Sequence, residues 1–233
     1  MAYFPFCVDI EGQKCRIVGG GIVACRKEEV LLEYGPEITV VAPVMSERIT
    51  RLAEAAAASG GAVAGDDTEG TEISKSRVRL LCREFSECDL ETADFVVAAT
   101  ADEALNRQIS ERCKAMRIPV NVVDVREECS FIFPALIKDS DITVGISTGG
   151  SSPTIAQYLK RSFREAVPEG FGKLAKQLGS YRELVKDRVD SLPVRTEIFR
   201  EMVSLGVRQG CEFVREDAEA LIERKLREHE SAE

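Results

Sequence analysis

The sequence predicts an α/β protein: a parallel sheet with helices on both faces, then a short β region and a helical tail. Three observations predict it. Up to about Asp124, short, apolar, β-branched runs alternate with segments of helical period, as buried parallel strands joined by crossover helices do. After Asp124 the alternation stops, and two strand-like runs follow one another directly. From Ser152 onward the pattern is helical, with mixed charges on the outward face.

The strands of the first part are Cys15–Val18, Ile38–Val41, Val78–Cys82, Asp94–Ala98 and Val120–Val123. The helices between them are Ile22–Tyr34, stopped by Gly35, then Ser46–Ala58 and Asp102–Met116. Ser59–Ser76 is rich in Gly, Asp, Thr and Ser and has no apolar period, so it reads as a surface loop without an assigned function. Ser130–Lys138 and Asp141–Ser147 read as two strands joined by a polar turn at Lys138–Ser140. Two strands do not bury their faces alone, so they pack on the domain or pair with another chain. The tail divides into helices Pro153–Ala166, Gly170–Arg188, Val194–Leu205 and Glu216–Glu228, the first with Ser152 as N-cap and proline at its first position. No internal repeat is present.

Composition narrows the function. The net charge of −9 argues against nucleic acid as a partner. No apolar run reaches the ~20 residues a bilayer span needs, so no membrane partner is expected. The amino terminus lacks a basic region followed by an apolar one, which makes the cytoplasm the expected location. The eight cysteines (Cys7, Cys15, Cys25, Cys82, Cys88, Cys113, Cys129 and Cys211) form no C-x-x-C pair and read as small hydrophobes in a reducing compartment; no metal site is expected. The single histidine, His229, lies in a charged tail, so proton transfer must use a carboxylate, lysine, tyrosine or cysteine.

Candidate site residues gather at strand ends. Gly19, Gly21 and Ala24 match the G-x-G-x-x-G/A fingerprint of a dinucleotide-binding, Rossmann-type turn. Gly19 permits the tight turn, Gly21 the approach of a pyrophosphate, and Ala24 close packing of helix on sheet, while the helix start faces the anion. The bland alternative is a glycine turn that only connects strand to helix. The second strand ends in Ala42, Pro43 and Val44, without the acidic residue that usually meets the ribose, so backbone contact by Pro43 and Val44 is expected to hold the adenosine. The small residues Ala98–Ala101, with Thr100 among them, let a cofactor lie close at the fourth strand; Asp102 serves there or caps the next helix. Asp124, ending the fifth strand, is the best candidate acid/base, or else a turn residue bonded to Arg126. Ser147-Thr148-Gly149-Gly150-Ser151-Ser152 makes an anion cradle, or else a flexible linker with a capping serine.

The order Gly19–Ala24, Ala98-Ala99-Thr100, Asn121-Val122-Val123-Asp124, Ser130–Pro134 and Ser147–Pro153 resembles precorrin-2 dehydrogenase, the amino-terminal module of siroheme synthase, over roughly residues 3–165. The resemblance implies a homodimer with an NAD-binding Rossmann domain at 1–117, a dimerisation region completing the sheet at 118–151, and a helical domain at 152–233. It implies NAD-dependent oxidation of precorrin-2 to sirohydrochlorin in siroheme or related tetrapyrrole biosynthesis. The family's NAD contacts fall on Ile22, Val23, Pro43 and Val44, and its key aspartate on Asp124 with Asn121 beside it. Its phosphorylatable serine falls on Thr148, which departs from the pattern. Precorrin-2 carries eight carboxylates, so its pocket must offset a negative protein; the hydroxyls and helix start at Ser147–Thr154, with Arg126 and Lys160 near them, are the expected means, and Asn121, Ser147, Thr148 and Gly149 the expected substrate contacts. The carboxyl-terminal methyltransferase module of the fused synthases has no counterpart here, and uroporphyrinogen methylation is expected from another protein.

Two other readings stand beside this one. A bifunctional dehydrogenase–ferrochelatase inserts Fe²⁺ into sirohydrochlorin, using the tetrapyrrole and Asp124 because no His or Cys cluster marks a private iron site. A non-catalytic NAD-sensing module binds the cofactor without turnover; such modules often carry a basic nucleic-acid-binding segment, which this acidic chain lacks.

Overall fold

A computed structural model describes residues 3–59 and 77–230. The Ser59–Ser76 loop reading therefore lies, from residue 60 on, outside the described residues. The chain divides into two compact units, one ending at Phe133 and the other beginning at Pro134.

The first unit holds β1 (Lys14–Val18), α1 (Ile22–Leu32), β2 (Glu37–Val41), α2 (Glu47–Ser59), β3 (Val78–Leu81), β4 (Phe95–Ala98), α3 (Glu103–Met116) and β5 (Val120–Val122). The five strands form one parallel sheet in the order β3-β2-β1-β4-β5. Strand alternation sorts the core onto two faces. Cys15 and Ile17 of β1 and Phe95 and Val97 of β4 pack with Ala24, Cys25 and Leu31 of α1 and Ile49 of α2. Val18, Val96 and Ala98 point the other way, onto Ile109 and Cys113 of α3. The chain runs outward from β1 through β2 to β3, then returns to lay β4 on the other side of β1. That reversal opens a crevice at the carboxyl ends of β1 and β4, where ligands of such sheets bind.

Ser130–Pro134, read from the sequence as the start of a strand, is not one. Side chains tie it to β5 instead: the Ser130 hydroxyl accepts from Val120 N–H at 2.7 Å, and Asn121 Nδ2 donates to the Phe131 carbonyl at 3.0 Å. Phe131 lies edge-on to Phe95 at 6.3 Å and against Phe133 at 5.5 Å, so the apolar alternation reflects aromatic plugs on the core rather than a pleat.

The second unit starts with an antiparallel hairpin, β6 (Ala135–Asp139) and β7 (Ile142–Ile146), followed by α4 (Pro153–Ala166), α5 (Phe171–Ser180), α6 (Arg182–Arg188), α7 (Leu192–Arg208) and α8 (Arg215–Glu230). Leu174, Val185, Ile198, Met202, Phe213 and Ile222 form its helical core. The single helix expected over Gly170–Arg188 is two. Gly179 weakens the helix, the Ser180 hydroxyl bonds back to the Gln177 carbonyl at 2.7 Å, and the Tyr181 ring packs on Phe213 at 5.9 Å. No helix among the described residues is long and apolar enough to cross a membrane.

Candidate functional site

The glycine turn leaves β1 at the crevice. Gly19 has φ +129°, and a Cβ there would stand 2.3 Å from the Ala99 carbonyl oxygen, so glycine is required both for the backbone and for contact with the end of β4. A Cβ on Gly20 would stand 2.0 Å from the Val44 carbonyl oxygen. The Gly20 carbonyl in turn accepts from Ser46 N–H at 2.9 Å. The Ala42–Ser46 segment is thereby strapped against the turn, which brings Pro43 and Val44 beside it. Gly20 is the residue the fingerprint misses, because the template leaves its position open.

Gly21 differs from both. Its φ of −90° and ψ of −173° suit any residue, and a Cβ there meets nothing within 4 Å. Nothing among the described residues asks for glycine at this point. It is the N-cap of α1 without any side-chain cap, and the first helical bond runs from Cys25 N–H to the Gly21 carbonyl. The N–H groups of Ile22, Val23 and Ala24 precede the hydrogen-bonded ladder, and the positive end of the helix dipole lies there. A bare, donor-rich helix start is the shape a dinucleotide pyrophosphate needs. Ile22, Val23 and Val44 border it as apolar side chains 64%, 38% and 78% exposed, an apolar rim at the crevice.

Thr100 follows β4 in a closed network. Its hydroxyl lies 2.8 Å from Asn106 Oδ1 and 3.0 Å from the Asp102 carbonyl, and the buried Asn106 amide donates to the Thr100 carbonyl at 3.0 Å. Asp102 is the helix cap: its carboxylate accepts from Ala104 and Leu105 N–H at 2.9 and 3.1 Å. Asn106 is a second residue the sequence did not single out; it fixes the backbone of this ligand-side loop.

Beyond β5, Asp124 adopts φ +63° with its side chain exposed. Among the described residues its carboxylate makes no hydrogen bond or ion pair, so the alternative reading of a turn residue bonded to Arg126 finds no such bond. Asn121 is buried and its amide serves Phe131, as above, with Cys129 Sγ at 3.6 Å. Lys27, on α1, holds its ammonium 3.9 Å from the Phe133 ring centre. Burial pulls the Lys27 pKa below the ordinary lysine value, and the charges of Cys129 and Asp124 oppose that pull. Lys27 is a third residue sequence reasoning passed over, although it stands in the motif stretch.

Glu28, next on α1, is wholly buried, and neither carboxyl oxygen has a hydrogen-bond partner. Desolvation, with a smaller push from Glu29, moves its pKa up to about 7. The folded state thus holds this proton more tightly than the unfolded chain, and stability falls as pH rises from the unfolded carboxyl pKa through about 7. We expect Glu28→Leu to remove this loss, on the order of 3 kcal/mol, above neutrality. Urea denaturation of both proteins from pH 5 to about 8 checks it; parallel pH profiles would contradict it.

The Ser147–Ser152 turn lies in the second unit, between β7 and α4. Ser147 Oγ accepts from Gly149 N–H at 3.1 Å, and the Thr148 hydroxyl lies 3.1 Å from both the N–H and the carbonyl of Ser152. Ser152 Oγ caps α4 by accepting from Ile155 N–H at 3.2 Å. Gly149 and Gly150 turn the chain with φ of +62° and +83°. These hydroxyls close the turn and cap the helix. All eight cysteines are free thiols, and no group of three or more His, Cys, Asp or Glu among the described residues is placed to hold a metal ion.

Sheet order, switch-point crevice and bare helix start define a Rossmann-type nucleotide-binding protein. A family model described as "Putative NAD(P)-binding" matches residues 6–135, and the chain belongs to that family. Over 209 residues the chain is 35% identical to siroheme synthase of Psychrobacter cryohalolentis, covering 90% of this chain and 36% of that protein. It is also 35% identical to siroheme synthase of Nitrosospira multiformis, covering 100% of this chain and 46% of that one. The chain thus spans less than half the length of these relatives. A solved structure titled "SirC, precorrin-2 dehydrogenase" matches with a TM-score of 0.67 and 24% identity, covering 96% of this chain and 98% of that chain, a likeness of fold.

Proposed function

We propose that the chain is an NAD-dependent dehydrogenase that oxidises precorrin-2 to sirohydrochlorin in siroheme or related tetrapyrrole biosynthesis, acting as a cytoplasmic homodimer. The observation that carries the reading is a conjunction at one sheet edge. Gly21 opens outward, with no described atom within 4 Å of a Cβ there, and two strands away an exposed carboxylate, Asp124, makes no hydrogen bond or ion pair among the described residues. The names of the relatives and of the solved structure supply the substrate class.

When bound, NAD⁺ would supply the hydride acceptor for the oxidation. The chain's own residues do the rest. The α1 start and Gly21 would receive the pyrophosphate, and Ile22, Val23, Pro43, Val44 and Thr100 would make the other contacts to the cofactor. Asp124 takes the proton that leaves the substrate as the hydride departs, with Asn121 fixing the segment behind it. Lys27 keeps a positive charge near that carboxylate. Ser147, Thr148 and Gly149 contribute to substrate binding through the backbone of their turn.

The domain scheme of 1–117, 118–151 and 152–233 belongs to this proposal, as does the homodimer. Support for the dimer comes from α4, where Ile155, Tyr158, Leu159 and Phe163, spaced on one helical face, are 55%, 62%, 36% and 47% exposed.

Anaerobic incubation with precorrin-2 and NAD⁺ tests the reading. NADH with the spectrum of sirohydrochlorin is expected, and faster Fe²⁺ insertion than in protein-free buffer would add chelatase activity. NAD binding without tetrapyrrole-dependent NADH would replace the enzyme by an NAD-sensing module.

A further inference from the structure

Helix α4 carries a cationic face as well as its apolar one. Gln157, Lys160, Arg161 and Arg164, at i, i+3, i+4 and i+7, line an open depression of about 310 Å³. Among the described residues, no carboxylate pairs with Lys160, Arg161 or Arg164. Other exposed cations of this chain of net charge −9, Lys173, Lys176 and Arg182 among them, also lack an ion pair with any described residue, so what distinguishes Lys160, Arg161 and Arg164 is that they converge with Gln157 on one depression. Glu165 shares the helix and forms no ion pair with them. Three like charges within one and a half helical turns repel one another, and an arriving anion relieves that repulsion.

We infer that the Gln157–Arg164 face of α4 is a binding site for a polycarboxylate, and, on the reading proposed above, that it holds propionate and acetate arms of the tetrapyrrole substrate. The two arginines are suited to forked contact with carboxylates, Lys160 supplies a point charge, and the Gln157 amide donates without charge. Polycarboxylate affinity should therefore fall with ionic strength, and more steeply than NAD affinity, because the pyrophosphate carries fewer charges than the polycarboxylate.

Two experiments separate this site from the dehydrogenase reading. The first is a fluorescence titration of the purified full chain with uroporphyrin I, an octacarboxylate porphyrin that needs no turnover. The triple variant K160Q/R161Q/R164Q should bind it about tenfold more weakly or worse, with a flatter salt dependence. NAD affinity should be unchanged, which establishes that the variant is folded. The control K173Q/K176Q/R182Q removes the same charge from exposed cations of α5 and α6 and should bind like wild type. The second is turnover: KM for precorrin-2 should rise in the triple variant, with kcat and KM for NAD⁺ retained. Equal uroporphyrin affinity in wild type and triple variant, equal weakening in the control, or no binding by wild type would overturn the site. Loss of uroporphyrin binding in the triple variant, in a protein that makes no NADH from precorrin-2, would uphold the site and reject the dehydrogenase.

Discussion

Gly21→Val is expected to fold and to lose its hold on NAD. Valine at this position meets no protein atom within 4 Å of its Cβ, and the backbone there is extended, a conformation β-branched residues favour. The cost to the fold is limited to a poorer N-cap, about 1 kcal/mol. The cost to the cofactor is much larger, because the side chain projects over the N–H groups of Ile22, Val23 and Ala24. NAD affinity should drop by at least about a hundredfold, or roughly 2.7 kcal/mol. Gly19→Ala and Gly20→Ala should do the reverse in kind. Their Cβ atoms would enter the Ala99 and Val44 carbonyls, so they should lower the melting temperature first. Calorimetric NAD titration beside thermal unfolding checks all three. Gly21→Val that binds NAD normally would mean the α1 start is only a connector.

Asp124→Asn is expected to abolish most turnover while leaving the protein folded and NAD-bound. Asparagine tolerates the left-handed backbone at φ +63° about as well as aspartate does, and no internal bond of the aspartate is lost. What disappears is the ability to accept a proton, together with the negative charge that Lys27 feels. Removal of such a base typically costs about 10²–10⁴ in rate, and the loss should fall on kcat. Asp124→Ala adds backbone strain of about 1 kcal/mol, so asparagine is the cleaner probe. A variant with near-normal kcat would remove Asp124 from the chemistry and leave its exposed carboxylate without a role.

Much of this was legible from the residues. The five strands could be read because each is short, apolar and bounded by glycine, proline or a polar turn, and the candidate residues at their ends could be read with them, whereas the crevice needed the strand order β3-β2-β1-β4-β5. Gly19 and Gly21 were found by spacing. Gly20 escaped because its reason, the Val44 carbonyl, comes from the loop after β2, remote along the chain. Ser130–Pro134 was misread because aromatic plugs on a core and a half-buried strand share the same alternation. Whether the hydroxyls of Ser147 and Thr148 serve an anion or their own turn was undecidable from residue type, since a cradle and a capped turn use the same residues. Glu28 did leave a signal: Ala24, Glu28 and Leu31 share the buried stripe of α1, and a carboxyl in that stripe departs from the apolar pattern. Lys27 left none beyond its place in the motif, because its setting is made by Phe133 and Asp124, which only the fold brings near.

The most direct test of the central claim is the stoichiometry of a limited anaerobic turnover. Precorrin-2 is supplied below the NAD⁺ concentration, and NADH and sirohydrochlorin are quantified together. The account predicts one NADH for each sirohydrochlorin formed, both dependent on the protein and on both substrates. Sirohydrochlorin without matching NADH, or no product from a chain that binds NAD, would contradict it.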